Sequence, residues 1–268
     1  MVDKKEAKKL LSSITPELTK DEKEKYFNLR HPGYVRILEN IKKNSKVLDV
    51  GMGRAHIDIA LLKIGCEITG INLKQAYPER MQKYGFAWVE LDAERDKFPF
   101  KDNTFDHVIF TEIMEHFLFH PRECIKEMFR VLKPGGSVIC TVPNAIALQK
   151  RIYPWFHKSV YGNVDKFYTL RYSSKGRPYF DRHSRLFMLK EVVALFKKEG
   201  FKIKKEKHIS LDEKIYQLKS VVHYEYQFKL GKILKNHKLL NYLSRKLWFL
   251  MGFLIPSGRS HIEVIAIK

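Results

Sequence analysis

The chain has 268 residues, 44% of them hydrophobic, with 50 Lys and Arg against 30 Asp and Glu for a formal net charge of +20. That length and apolar content suit one sizeable α/β domain with insertions. The three cysteines, Cys66, Cys124 and Cys140, lie in apolar stretches without paired Cys or His spacing, which argues against a disulfide framework or a structural zinc site. The charge predicts attraction to nucleic acid, an anionic membrane or an acidic substrate, but a lysine-rich solvated surface accounts for it equally well.

Residues 1–44 read as a helical lead. Its first part, MVDKKEAKKLLSSITPELTKDEKEKYF, is charged and lacks the apolar core of a signal peptide, which points to a cytoplasmic protein. Lys46 to Val50 is then a short apolar strand, and Gly51 and Gly53 break it where the backbone must turn and admit a ligand. A helix from about Ile57 to Lys63 would aim its N-terminus at that ligand. Glu67 to Ile71 reads as a second strand ending at Asn72, near the ~20-residue offset of a ribose-binding side chain. Together these pieces suit an adenosine-containing ligand.

Phe105 to Thr111 (FDHVIFT) is a further strand and Pro121 to Leu132 an amphipathic helix; Lys133-Pro134-Gly135-Gly136 then turns into the strand Ser137 to Val142. The regular pattern resumes with a helix at about Leu189 to Glu199, a strand at Phe201 to His208 and a last strand at His261 to Ile267.

In VLDVGMGRA, LDAERDKFPFKDNTFDHVIFTEIMEH, RVLKPGGSVICTVPN and, more loosely, HSRLFMLKEVVALFKKEGFKI, the chain resembles the class I S-adenosylmethionine-dependent methyltransferases. It is most similar to the small-molecule type, methyltransferase type 11-like, whose fourth strand runs into a Glu-His pair, here Glu115-His116. The core resemblance covers Asn44 to Asn144. It implies an α/β, Rossmann-like, doubly wound seven-stranded sheet with the last strand antiparallel, spanning residues 45–268, and S-adenosylmethionine as cofactor.

The resemblance also implies roles. Asp49, Gly51 and Gly53 would shape the methionine end of the cofactor site, Asn72 and Leu73 the ribose and adenine, Asp92 with Ala93 the adenine edge, and Thr111 the floor beneath the donor. Arg30 would reach the methionine carboxylate or an anionic acceptor, unless it forms a surface salt bridge. The sulfonium makes the methyl group electrophilic, so the protein chiefly positions the acceptor, and a hydroxyl acceptor also needs a base. His116, Glu115 and His183 are the candidates, His116 first, with a hydrogen-bonded structural role as the alternative for each histidine. No acidic triad with metal spacing stands out, so no metal is expected. Two departures bear on the cofactor: Ala55 replaces a third glycine, a small change in bulk, and Asn72 replaces the usual ribose-binding carboxylate, at a cost of about 1 to 2 kcal/mol in affinity.

Two insertions interrupt the pattern. Residues 145–185, rich in aromatic and histidine side chains, would form a lid over the acceptor at the carboxyl edge of the sheet, or else a loop-helix excursion with its own apolar cluster. Residues 211–259 hold the basic, leucine-spaced stretch KLGKILKNHKLLNYLSRK, then LWFLMGFLI, too short to span a bilayer. The segment 229–255 suits peripheral contact with a membrane surface, or packing on the sheet or a second subunit. The expected activity is methyl transfer to a small-molecule, lipid-linked or glycan-linked hydroxyl. An RNA methyltransferase is one alternative, although Thr141-Val142-Pro143-Asn144 is not the Asn-Pro-Pro-Tyr type of tetrapeptide used by many base-methylating relatives. A noncatalytic binding protein of the same fold is the other.

Overall fold

The computed structural model describes residues 1–210, apart from 75, 76, 158, 162–164, 166, 167, 174 and 181, together with 246 and 254–268. Most of the 211–259 insertion, including the basic and apolar run at 229–253 apart from Lys246, therefore lies outside the described residues. Among the described residues no helix is long and apolar enough to cross a membrane.

The N-terminal lead consists of α1 (Lys4–Ile14), the single turn α2 (Lys20–Glu22), a π-helical turn at Lys23–Phe27 and α3 (Asn28–Leu38). The Asp3 side chain accepts the Glu6 N–H at 2.8 Å and caps α1, whose Ala7, Leu11 and Ile14 recur at helical spacing and are fully buried. Then follow β1 (Lys46–Val50), α4 (His56–Leu62), β2 (Glu67–Asn72), α5 (Pro78–Tyr84), β3 (Ala87–Glu90), β4 (Phe105–Thr111), α6 (Arg122–Val131) and β5 (Leu132–Pro143). The chain continues through α7 (Leu148–Ile152), a small hairpin of β6 (Leu170–Tyr172) and β7 (Pro178–Phe180), α8 (Leu189–Lys198), β8 (Lys202–Ile209) and β9 (His261–Ile267).

Seven strands form one sheet in the order β3-β2-β1-β4-β5-β9-β8. The β1, β2, β3, β4 and β5 neighbours are parallel, whereas β9 runs antiparallel to both β5 and β8. This is the doubly wound sheet with a reversed last strand that the resemblance implied. Successive side chains of a strand face opposite layers, so Val47 and Ile109 pack with the lead and α4 while Leu48, Val108 and Phe110 pack with α6 and α8. The order of β1 and β4 reverses direction at the centre of the sheet, and the crevice beyond their carboxyl ends is where such sheets take ligands.

The lead is tied to that crevice by one carboxylate. Glu22, 5% exposed, accepts from both guanidinium nitrogens of Arg80 at 2.7 and 3.1 Å, and Arg80 also donates to the Arg54 carbonyl at 2.9 Å in the turn after β1. Despite burial, the Arg80 hydrogen bonds hold Glu22 down at about 2.

Candidate active site

The turn after β1 is built around close backbone approaches. Gly51 has φ +91° and donates its N–H to the Ile71 carbonyl at 2.8 Å, and a Cβ there would collide with the Ile113 side chain. Only glycine satisfies both constraints. Gly53, at φ +52°, donates its N–H to Asn72 Oδ1 at 3.2 Å. That donor fixes which way the amide faces, and it leaves the buried Asn72 Nδ2 without a partner in the protein. Asn72 therefore presents a donor where a carboxylate would present an acceptor. Ala55 is also more than a change in bulk. It stands at φ +55°, ψ 27°, in the left-handed conformation at the start of α4, where an L-residue carries about 1 to 2 kcal/mol of strain.

A largely apolar cavity opens at the carboxyl ends of β1, β2 and β4. Gly51, Leu73, Asp92, Ala93 and His116 line it with Ile71, Leu91, Ile113, Phe117 and the β7 residues Tyr179 and Phe180. Asp49, Gly53, Asn72, Thr111, Arg30, Glu115 and His183 lie outside this lining. Asp92 Oδ1 accepts the Glu94 N–H at 3.1 Å and Oδ2 accepts Arg95 Nε at 2.6 Å, so the carboxylate is oriented by its own loop. Glu94, which the sequence reading did not single out, accepts the backbone N–H groups of Leu118 and Phe119 and fixes the segment that follows His116.

Asp49 points away from the cavity, toward Asp58 on α4. The two carboxyls are 4% and 0% exposed and face each other. Burial raises both, Asp49 to about 7, so the pair retains a proton where isolated aspartates have lost theirs.

Beyond β4 the chain places a second, polar group beside the cavity. Glu112, in the left-handed conformation at φ +59°, accepts Thr141 Oγ1 at 3.1 Å and pairs with His261 Nε2 of β9 at 3.2 Å. Glu115 is fully buried, and neither carboxylate oxygen has a hydrogen-bond partner. His183 Nε2 lies 4.0 Å from Glu115 Oε1, and the rings of His183 and His116 meet edge to face with centroids 4.9 Å apart. His116 Nδ1 stands 2.9 Å from the Arg182 carbonyl, which can only accept, so Nδ1 carries the proton and Nε2 the lone pair. Ser184 and Arg185 donate their N–H groups to the Glu115 carbonyl at 2.7 and 3.3 Å and hold the His183 segment in place.

The three residues proposed as acid-base candidates from sequence are thus brought together although 183 is distant in the chain. Lys150 on α7, missed by the sequence reading, adds a buried ammonium with no hydrogen-bond partner, and burial pulls it down to about 8 against the opposing pull of Glu115 and Glu112. Arg30 is exposed, and its charge acts on Glu112 and Glu115 from α3. Thr111 ends β4, paired with Thr141 of β5.

Comparison with known proteins agrees with this geometry. A family model described as a methyltransferase domain matches residues 48–140. Over 175 residues the chain is 30% identical to the demethylmenaquinone methyltransferase of Bacillus subtilis (strain 168), an alignment that covers 61% of this chain and 73% of that one. Among solved structures it shares its fold with the Burkholderia thailandensis 1,6-didemethyltoxoflavin-N1-methyltransferase, bound to 1,6-didemethyltoxoflavin and S-adenosylhomocysteine, at a TM-score of 0.52 and 13% identity over 100% of this chain and 91% of that one. A methyltransferase from Archaeoglobus fulgidus gives a TM-score of 0.55 at 15% identity, over 92% and 97%. The chain belongs to the class I S-adenosylmethionine-dependent methyltransferases. It is a methyltransferase that uses S-adenosylmethionine, and the glycine turn, the orphaned Asn72 amide and the apolar cavity fit that cofactor.

Proposed function

We propose that the enzyme methylates a hydroxyl on a small-molecule, lipid-linked or glycan-linked acceptor. The observation that carries this reading is the position of His116, which lines the apolar cavity and at the same time touches His183 beside the buried carboxyl of Glu115. A cavity for the donor thus adjoins groups able to receive a proton from an oxygen acceptor. In this reading Gly51 and Gly53 admit the methionine portion, with Asp49 and Arg30 acting on it from farther off. Asn72 and Leu73 hold the ribose, Asp92 and Ala93 the adenine, and Thr111 supports the floor. His116, Glu115 and His183 serve the acceptor. The β6–β7 hairpin brings Tyr179 and Phe180 to the cavity wall, as an acceptor lid would. Similarity to a demethylmenaquinone methyltransferase supports a quinone-like acceptor, and the hydroxyl itself is argued from the His116 cluster.

The purified enzyme with methyl-labelled S-adenosylmethionine, offered detergent-solubilised lipid extracts, glycan fractions and total RNA in parallel, tests the proposal. Label entering a lipid or glycan fraction is the expected result. Label confined to RNA, with binding that weakens steeply as salt rises, overturns it in favour of the partner to which the +20 charge would be suited.

A further inference from the structure

Glu115, His116 and His183 offer one carboxylate oxygen and two imidazole nitrogens that all lie within 4.8 Å of one another. Three features of this group are unusual for a plain acid-base set. Burying a carboxylate with neither oxygen hydrogen-bonded is costly unless a cation or proton compensates it, and Glu115 is 0% exposed in that condition. The proton of His116 is pinned on Nδ1 by the Arg182 carbonyl, which leaves Nε2 as the ligating nitrogen in the way a backbone carbonyl orients a metal-binding imidazole. Finally, His183 is carried to the cluster by two backbone hydrogen bonds onto Glu115 itself, so the segments bearing the donors are mutually tethered.

We propose that Glu115, His116 and His183 form a site for a divalent transition-metal ion beside the donor cavity, leaving coordination positions for an oxygen of the acceptor. A donor set of two imidazoles and one carboxylate suits ions such as Zn²⁺, Fe²⁺ or Mn²⁺ over Mg²⁺ or Ca²⁺, which prefer oxygen. Ligand atoms around a tetrahedral ion at ~2.1 Å stand roughly 3.4 Å apart, so separations of up to 4.8 Å must contract by as much as about 1.4 Å. His183, with 38% of its side chain exposed, has room to make that movement. Such an ion places a positive charge in direct contact with Glu115, on which Arg30 and Lys150 act without a hydrogen bond, and it lowers the pKa of a coordinated hydroxyl. This last role rests on the hydroxyl-acceptor reading above; binding of the ion does not.

The test uses the full chain freed of any affinity tag, stripped with a chelator and titrated with Co²⁺ while its visible absorption is followed, then back-titrated with Zn²⁺. One equivalent of Co²⁺ giving a ligand-field band that Zn²⁺ displaces is expected. His183→Ala, His183→Gln and Glu115→Gln should each weaken binding at least ~100-fold, and S-adenosylhomocysteine calorimetry on the metal-free variants verifies that the donor site is still folded. No saturable band in the wild-type protein, or a band that survives all three substitutions, overturns the proposal and leaves Lys150 as the counter-ion of Glu115. A saturable band in an enzyme that labels no lipid or glycan would overturn the hydroxyl-acceptor reading and leave the metal site standing.

Discussion

Glu112 and Glu115 leave the same strand and are held in opposite states. Burial raises both, but at Glu112 the charge of His261 and the hydrogen bonds from His261 and Thr141 outweigh it and bring the carboxyl to about 2. Glu115 has no such partners, and burial together with the neighbouring Glu112 charge raises it well above the ordinary glutamate range. One carboxylate is thereby fixed as an anion and the other is left for a proton or a cation.

The pair makes Glu112 a stability element. Its folded pKa is depressed, so its contribution is present above the ordinary value of 4.5 and is lost as pH falls toward 2. Glu112→Gln should lower stability at pH 7 by about 2 kcal/mol, the scale of a hydrogen bond to a charged group. Urea unfolding from pH 3 to 7 should show a shallower acid decline in the variant, and an unchanged slope would show that the His261 contact does not stabilise the fold.

Asp49 and Asp58 act with the opposite sign. Asp49 is raised from 3.8 to about 7, so the folded state holds a proton that the unfolded chain has released. Stability should therefore decline as pH rises between these values, and Asp58, raised in the same direction, adds to that decline. Asp58→Asn replaces one acid with an amide able to donate to Asp49, and we expect it to flatten this decline and to gain about 1 to 2 kcal/mol at pH 8. Identical pH profiles for variant and wild type would contradict the shared-proton description.

The amide of Asn72 bears on cofactor affinity. Asn72→Asp keeps an acceptor for the Gly53 N–H and turns the unpartnered Nδ2 into a carboxylate oxygen that both ribose hydroxyls can reach as donors. Calorimetry should show S-adenosylhomocysteine binding about tenfold more tightly, equivalent to ~1.4 kcal/mol. Weaker binding would mean that the amide donor is the better partner in this pocket.

Ala55 offers a test of backbone strain. Ala55→Gly removes the left-handed penalty at φ +55° but adds chain entropy to the unfolded state, for a net gain of about 0.5 to 1 kcal/mol. Thermal unfolding should show a higher midpoint in the variant; a lower one would place the packing of the buried Ala55 methyl above the strain.

Six of the seven strands were legible because they are local events, whereas β3 (Ala87–Glu90), four residues at the sheet edge with no buried position, was not. The runs at Lys46–Val50, Phe105–Thr111 and His261–Ile267 are bounded by turn residues and have the lengths found in the structure. The glycine turn was legible for the same reason, since its constraints lie within a few residues. The conformation of Ala55 and the facing of the Asn72 amide were not, because both depend on what the backbone does around a residue whose identity alone is neutral. Pairings such as Glu112 with His261, Glu22 with Arg80 and Glu115 with His183 join distant segments, and periodicity holds no trace of them. Lys150 was hidden in the same way, as one lysine among many until α7 buried its ammonium.

The placement of β9 has a consequence for how the chain is made. This strand is the last of the sheet to leave the ribosome, yet it lies between β5 and β8 and also brings His261 to Glu112. Until it inserts, β5 and β8 each present an edge of unpaired backbone groups, and the polar cluster beyond β4 lacks one of its partners. Synthesis therefore passes through a stage in which most of the sheet exists with a gap one strand wide, the stage most exposed to edge-to-edge association. Closing that gap and completing the Glu112 pair are one event, so the polar cluster matures only when the last strand of the sheet has found its slot.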